Sequence, residues 1–325
     1  MKVSLIGTGA YGIAMAMMLN KNNDDIVMWT ESEEKLKKYK KDGCIKDIVP
    51  GVVCPKNIRL TNSYDEAVKG KDVIFIMSTA HFVGSICDGI KPYLTKDQVV
   101  CIASKGIENN SCEFLSNIAR EKLKTRKICI ISGGSFAIDM ANNNPVALTV
   151  ASKSRMARKL VKKALQSDTV KLRESSDLIG VQICGSIKNV IALAAGMLDG
   201  MGYPESTQCF LITESIHDIK ALIGALGGRP KTILSYAGVG DLLLTCTSVK
   251  SRNFSFGKVV GSGASKEEKD EFLKNTTVEG YYTLKSIYKL VRKKKIDMPV
   301  VDLIYKIIMN DKDPHLLAEF LINKK

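Results

Sequence analysis

The sequence predicts an α/β chain: a doubly wound parallel sheet followed by an all-helical C-terminal domain. Three observations carry that prediction. Short apolar runs alternate with helix-length stretches up to about residue 175. Beyond that point strand signals almost vanish and long helical patterns dominate. The first apolar run passes directly into the glycine-rich turn Gly7-Thr8-Gly9-Ala10-Tyr11-Gly12, which opens a helical stretch. At 325 residues the chain is roughly twice the ~150-residue domain prior, so two domains are expected, 1–175 and 176–325.

The predicted strands are residues 3–6, 26–29, 72–77, 98–103, 127–131 and 145–151. They are continuous apolar runs rather than alternating ones, as strands covered on both faces require. The first predicted helix is about residues 11–20, and polar-apolar stretches of helical length lie between several of the later strands. In the second domain the helical patterns are 177–198, 209–226, 283–293 and 300–309.

Apolar residues make up 45% and charged residues 25%, which excludes a disordered chain, a collagen and a coiled-coil rod. The net charge of +14 raises the question of acidic partners. Aromatics are only 6% and do not interleave with the basic clusters at 35–41 and 155–163, so these read as solvated faces and no nucleic-acid partner is expected. The nine cysteines include no C-x-x-C pair and are expected to be reduced packing residues. His81, His217 and His315 share no metal-site spacing, so no metal is expected. No apolar run reaches the ~18 residues of a membrane span, and the N-terminal run is too short for a signal-peptide core. The cytoplasm is therefore the expected compartment.

The glycine turn has the context of a Rossmann-type dinucleotide site. Gly7 permits the tight turn, Gly9 lets backbone approach a pyrophosphate, and Gly12 lets helix and strand pack closely. The helix N-terminus beside Ala10 and Tyr11 then faces phosphate charge. Tyr11 is placed to pack against cofactor or substrate. Glu31 lies 19 residues beyond Gly12, where an acid accepts hydrogen bonds from the adenosine ribose and repels a 2′-phosphate. No arginine stands at that strand end, so NAD(H) is expected, with NADP(H) as the alternative. Glu33 and Glu34 are competing candidates for the acid.

Later segments extend the pattern: Ser104-Lys105-Gly106-Ile107-Glu108, Gly185-Ser186-Ile187-Lys188-Asn189-Val190, Ala237-Gly238-Val239-Gly240-Asp241-Leu242, Thr245-Cys246-Thr247-Ser248, Ser251-Arg252-Asn253 and Val278-Glu279-Gly280. In order and spacing, from Val3 to about Ile308, the chain resembles the NAD(P)-dependent sn-glycerol-3-phosphate dehydrogenases. That family interconverts dihydroxyacetone phosphate and glycerol 3-phosphate, which supplies the glycerophospholipid backbone. The resemblance implies catalytic roles for Lys188, Lys105 and Asp241: Lys188 as general acid/base, Asp241 orienting it or the substrate hydroxyls, and Lys105 contacting both substrate and cofactor. It implies that Arg252 and Asn253 hold phosphate, that Thr245, Ser251, Gly133 and Ser135 also contact substrate, and that Ala137, Arg252 and Glu279 lie on the cofactor side. It also suggests a homodimer. Independently of it, Lys188 sits among Ile187, Val190, Ile191 and Leu193, where burial would lower its pKa. Arginine offers a planar, permanently charged fork for phosphate oxygens. The chain departs from the family pattern at Ser78-Thr79, Gly134, Ser206 and the 44–55 loop. Two other readings compete: a related two-domain dehydrogenase acting on another small hydroxy acid or phosphorylated carbonyl, and a non-catalytic NAD- or nucleic-acid-binding protein.

Overall fold

The computed structural model describes residues 1–108 and 111–323. It divides into two compact units: Met1–Ser104 with Leu115–Leu178, and Lys105–Phe114 with Ile179–Lys325.

The first unit contains, in chain order, β1 (Lys2–Ile6), α1 (Ala10–Leu19), β2 (Asp25–Trp29), α2 (Glu33–Asp42), β3 (Ile58–Thr61), α3 (Tyr64–Val68), β4 (Val73–Ile76), α4 (Val83–Ile90), β5 (Val99–Ile102), α5 (Leu115–Leu123), β6 (Ile128–Ser132), α6 (Ala137–Ala141), β7 (Val146–Ala151), α7 (Arg155–Leu165) and β8 (Val170–Ser175). The strands form one sheet in the order β3-β2-β1-β4-β5-β6-β7-β8. Pairing is parallel from β3 to β6, antiparallel between β6 and β7, and parallel again between β7 and β8. The chain builds outward from β1 to β3 and then returns to β4 on the other side of β1. That reversal creates a crevice beyond the strand carboxyl ends, where open α/β sheets bind ligands. The central strands β4, β5 and β6 are buried at every residue, which is why their sequences are unbroken apolar runs. The six strands read from the sequence are present, and β3 and β8 are additions. Both are edge strands. β3 has four residues including exposed Arg59, and β8 reads Val-Lys-Leu-Arg-Glu-Ser with its charged residues solvated, so neither shows the apolar run of a central strand.

The second unit is built from α8 (Leu178–Gly200), α9 (Glu205–Ala225), α10 (Asp241–Cys246), α11 (Arg252–Gly261), α12 (Lys266–Asn275), α13 (Glu279–Lys293), α14 (Pro299–Asn310) and α15 (Leu316–Asn323). Helix α8 is its centre. Every residue from Gly180 to Leu198 is buried, and the helices around it close one hydrophobic core. By length and composition α8 could cross a membrane, yet 89% of its most apolar window is buried inside the protein, as in a core helix. Gln182, Ser186, Lys188 and Asn189 interrupt it, so no unbroken span-length run appears in the sequence.

Helices α8 and α11 touch backbone to backbone. A Cβ on Gly196 would strike the Phe254 carbonyl, one on Gly200 that of Lys258, one on Gly257 that of Leu193 and one on Gly261 that of Met197. All four positions demand the absence of a side chain because the partner is rigid main chain. Gly257→Ala should therefore destabilise the protein by about 1–3 kcal/mol, the usual cost of overpacking a core. Urea unfolding measures this; an unchanged midpoint would show that the two helices separate freely.

Candidate active site

At the heart of the second unit one carboxylate holds two ammonium groups. Lys188, midway along α8, donates from Nζ to Asp241 Oδ1 at 2.5 Å and to Thr245 Oγ1 at 3.0 Å. Lys105 donates from Nζ to Asp241 Oδ2 at 2.6 Å. Asp241 is the first residue of α10 and follows a wide turn, Tyr236–Gly240, broken at Gly238 by non-helical backbone angles. Gly238 is required there because a Cβ would collide with the Ile233 main chain. Thr245, one turn along α10, donates its hydroxyl proton to the Asp241 carbonyl at 2.6 Å, which leaves its oxygen lone pairs for Lys188.

The electrostatics follow from burial. The side chains of Asp241, Lys188 and Lys105 are 2%, 8% and 15% exposed. Burial disfavours the charged ammonium of Lys188, the neighbouring Lys105 disfavours it further, and Asp241 opposes both; the balance lowers the Lys188 pKa to about 8. For Asp241, burial pushes the carboxyl upward, but the charges of Lys105 and Lys188 outweigh it and hold the group below the usual carboxylate range. The result is a permanent anion beside an amine poised to exchange a proton near neutrality. Cys246 packs behind Lys188, its sulfur 4.0 Å from the Lys188 carbonyl oxygen, and burial drives its thiol far above the ordinary range.

A second network hangs on Asn189, which the sequence reading did not single out. Asn253 donates from Nδ2 to Asn189 Oδ1 at 3.0 Å and accepts at Oδ1 from the Gly280 amide at 2.8 Å, and Asn189 donates to Glu279 Oε2 at 3.4 Å. The start of α11 and the start of α13 are thereby tied to α8. Ser251 caps α11, its hydroxyl accepting from the Phe254 amide at 3.3 Å. Arg252 is the first residue of that helix, exposed, and carries no acidic partner among the described residues.

In the first unit the glycine turn has the form of a phosphate cradle. Gly7 adopts φ +127°, and a Cβ there would lie 2.6 Å from the Met77 carbonyl oxygen. A Cβ on Gly12 would lie 2.6 Å from the Gly7 carbonyl oxygen, so this glycine lets α1 close on the turn. At Gly9 a Cβ would meet nothing within 4 Å, and no side chain caps the first turn of α1, where Ala10 is exposed. Open space in front of uncapped amides fits a pyrophosphate. The Tyr11 hydroxyl lies 3.0 Å from Ser135 Oγ, joining α1 to the loop after β6. In that loop Gly133 has its Cβ position occupied by the Ala147 and Leu148 main chain, and Ala137 begins α6. Glu31 is exposed just past β2, where the Trp29 and Tyr64 rings stack at 4.3 Å and 9°. Burial, with the Glu31 charge adding, pushes the Tyr64 hydroxyl up to about 12. Thr8 Oγ1 donates to Thr30 Oγ1 at 3.1 Å, and Lys35, also missed in the sequence, reaches back to the Thr8 carbonyl oxygen at 3.3 Å.

The structure thus brings Lys105, Lys188, Asp241 and Thr245 into one cluster and hangs Asn253 and Glu279 on Asn189. It sets Ser251 and Arg252 at the mouth of α11, and it gathers Gly7, Gly9, Ala10, Tyr11 and Gly12 at the start of α1 with Glu31 past β2. Comparison with known proteins gives the family. Residues 2–158 correspond to the N-terminus, and residues 177–319 to the C-terminus, of NAD-dependent glycerol-3-phosphate dehydrogenase. The chain belongs to that family. A glycerol-3-phosphate dehydrogenase [NAD(P)+] from Vibrio campbellii is 32% identical over 322 residues, covering 98% of this chain and 93% of the relative. The crystal structure of glycerol-3-phosphate dehydrogenase from Coxiella burnetii superposes with a TM-score of 0.92 at 26% identity, covering 99% of each chain. A D-mandelate dehydrogenase, at a TM-score of 0.65 and 14% identity over 96% of this chain and 98% of the other, shares the fold alone.

The buried cluster also makes a prediction about stability. Asp241→Asn leaves two ammonium groups facing a neutral amide, and removing one partner of a buried ion pair costs about 3–5 kcal/mol. Chemical denaturation of the purified variant should show a loss of that order. An unchanged midpoint would mean that the lysines turn outward to water instead.

Proposed function

We propose that the chain is an NAD(P)-dependent glycerol-3-phosphate dehydrogenase, an oxidoreductase that interconverts dihydroxyacetone phosphate and sn-glycerol 3-phosphate. The observation that carries this reading is the buried Lys188–Asp241–Lys105 cluster in a chain of this family. The dinucleotide, when bound, supplies or accepts the hydride at the C2 carbon of the substrate. The protein holds it through Gly7, Gly9, Ala10, Tyr11 and Gly12 at the pyrophosphate and through Glu31 at the adenosine ribose. Lys105, Ala137, Arg252 and Glu279 serve its nicotinamide side. The acid at position 31 favours NAD(H), with NADP(H) as second cofactor.

In ketone reduction Lys188 gives its proton to the carbonyl oxygen as that oxygen becomes the hydroxyl; in alcohol oxidation the neutral amine takes the proton back. Asp241 stays ionised throughout, fixes the Lys188 ammonium and stabilises its charge. Thr245 holds a second Lys188 proton, which leaves the third directed to substrate. Lys105 adds positive charge where the carbonyl oxygen gains electron density. Arg252 takes the phosphate with its fork. Asn253 has one amide proton beyond that given to Asn189 and supports the same group. Gly133, Ser135 and Ser251 complete the substrate contacts. The enzyme acts in the cytoplasm as a homodimer and supplies the glycerophospholipid backbone.

The deciding experiment mixes purified protein with dihydroxyacetone phosphate and follows oxidation of NADH and of NADPH by absorbance. Consumption of reduced cofactor supports the reading, and silence with both overturns it. Because the Lys188 pKa is lowered to about 8, the protonated form needed for reduction is lost as pH rises through that value. The reduction rate should fall above about pH 8, while the oxidation rate climbs over the same window. Lys188→Ala should cost ~10²-fold or more in reduction and abolish that limb; near-normal turnover would remove Lys188 from the chemistry. Arg252→Ala should raise the KM for dihydroxyacetone phosphate by a large factor while changing the use of unphosphorylated dihydroxyacetone far less. Equal losses with the two substrates would show that Arg252 does not hold phosphate.

A further inference from the structure

The adenosine end of the dinucleotide site contains a cation that the reading above does not use. Lys35 lies in the first turns of α2, whose start is fixed by Ser32: the Ser32 hydroxyl accepts from the Lys35 amide at 3.2 Å. The Lys35 side chain is exposed on α2. It folds back over the glycine turn, with Nζ 3.3 Å from the Thr8 carbonyl oxygen and 3.5 Å from Thr8 Oγ1. Thr8 stands between Gly7 and Gly9, is buried, and is bonded through its hydroxyl to Thr30, the residue before Glu31. The ammonium of Lys35 therefore rests on the turn that follows β1, and the residue next to Glu31 is bonded to that same turn. Three carboxylates, Glu31, Glu33 and Glu34, lie close in sequence, yet among the described residues none forms an ion pair with Lys35. Among the described residues its acceptors are two neutral oxygens of Thr8, so its charge is available to a ligand.

In a Rossmann-type site this is where the adenosine ribose sits, and its 2′-oxygen is the one atom that distinguishes the two cofactors: a hydroxyl in NAD(H), a phosphate in NADP(H). A carboxylate suits the hydroxyl and repels the phosphate. An ammonium, with three donors and a compact charge, suits the phosphate. A pocket holding Glu31 alone would reject the 2′-phosphate; one holding both signs accepts either form.

We propose that Lys35 is a cofactor-binding and specificity residue whose ammonium neutralises the 2′-phosphate of NADP(H), so that the site takes both dinucleotides while Glu31 keeps NAD(H) favoured. The inference rests on the dinucleotide reading of the glycine turn and adds a residue to it.

Equilibrium binding to the full chain tests it without turnover. NADH and NADPH are titrated by cofactor fluorescence, with 2′,5′-ADP and 5′-ADP as competitors, for the wild type, Lys35→Met and Lys35→Arg. In Lys35→Met the ratio of the NADPH to the NADH dissociation constant should rise about tenfold, as expected for loss of a charge-assisted hydrogen bond. 2′,5′-ADP should weaken as a competitor relative to 5′-ADP, and the salt dependence of NADPH binding should flatten. Lys35→Arg, which keeps the charge, should restore the ratio. Equal weakening of both dinucleotides, an unchanged ratio, or a wild type that binds NADH but no NADPH would each overturn the role of Lys35. A wild type that binds neither would overturn the dinucleotide reading and this inference together.

Discussion

Everything distinctive about the second unit depends on one carboxylate shared by two amines. Asp241 is buried, and each of its oxygens receives one ammonium, at 2.5 Å from Lys188 and 2.6 Å from Lys105. Two cations on one anion leave the cluster with an excess positive charge in a low-dielectric interior, an arrangement that is costly unless something relieves it. The protein has two sources of relief. Lys188 can lose its proton, which is why burial and Lys105 together bring its pKa down to about 8. A negatively charged ligand can also bring the missing charge. A phosphorylated carbonyl supplies both an anion and an atom that needs a proton, so the same imbalance serves recognition and chemistry.

Holding that cluster requires α8, α10 and α11 to be fixed to within a fraction of an ångström, and the sequence does this with paired neighbours. Lys188 is followed by Asn189, Arg252 by Asn253 and Glu279 by Gly280. Adjacent residues of a helix project about 100° apart, so one of each pair can serve a ligand while the next serves packing. Asn189, Asn253 and the Gly280 amide form one hydrogen-bonded chain across three helices. The four glycines between α8 and α11 then remove any slack, because main chain bears on main chain.

The sequence makes local features legible and long-range pairings illegible. The glycine turn could be read because its function lies in backbone freedom at consecutive residues, and the central strands because two-sided burial leaves an unbroken apolar run. The burial of Lys188 could be read from its apolar neighbours on one helix. Its partner could be named only through the family resemblance and not from local pattern, since Asp241 is 53 residues away and Lys105 lies 136 residues from the same carboxylate. Segment 105–114 groups with the second unit although strands of the first unit flank it in the chain, and no composition change marks that departure. Asn189 was hidden because an amide beside Lys188 looks like ordinary motif filling. Lys35 was hidden inside a lysine-rich stretch whose lysines are all exposed.

Lys35 and Lys188 show how burial assigns different work to one side-chain type. Both have carboxylate neighbours, Lys188 in space and Lys35 in sequence. Lys35 is exposed on α2, where water screens charge and two unit charges 4 Å apart are worth only ~1 kcal/mol. Such a group acts as a point charge that biases which ligand is accepted. Lys188 is enclosed, and the same separation at an effective dielectric constant near 20 is worth ~4 kcal/mol, enough to move a proton equilibrium by units. Discrimination between cofactors can be performed at a wet surface because it needs only a small free-energy difference. Proton transfer to a carbonyl near neutral pH needs a shifted pKa, and burial in the middle of α8 gives Lys188 one.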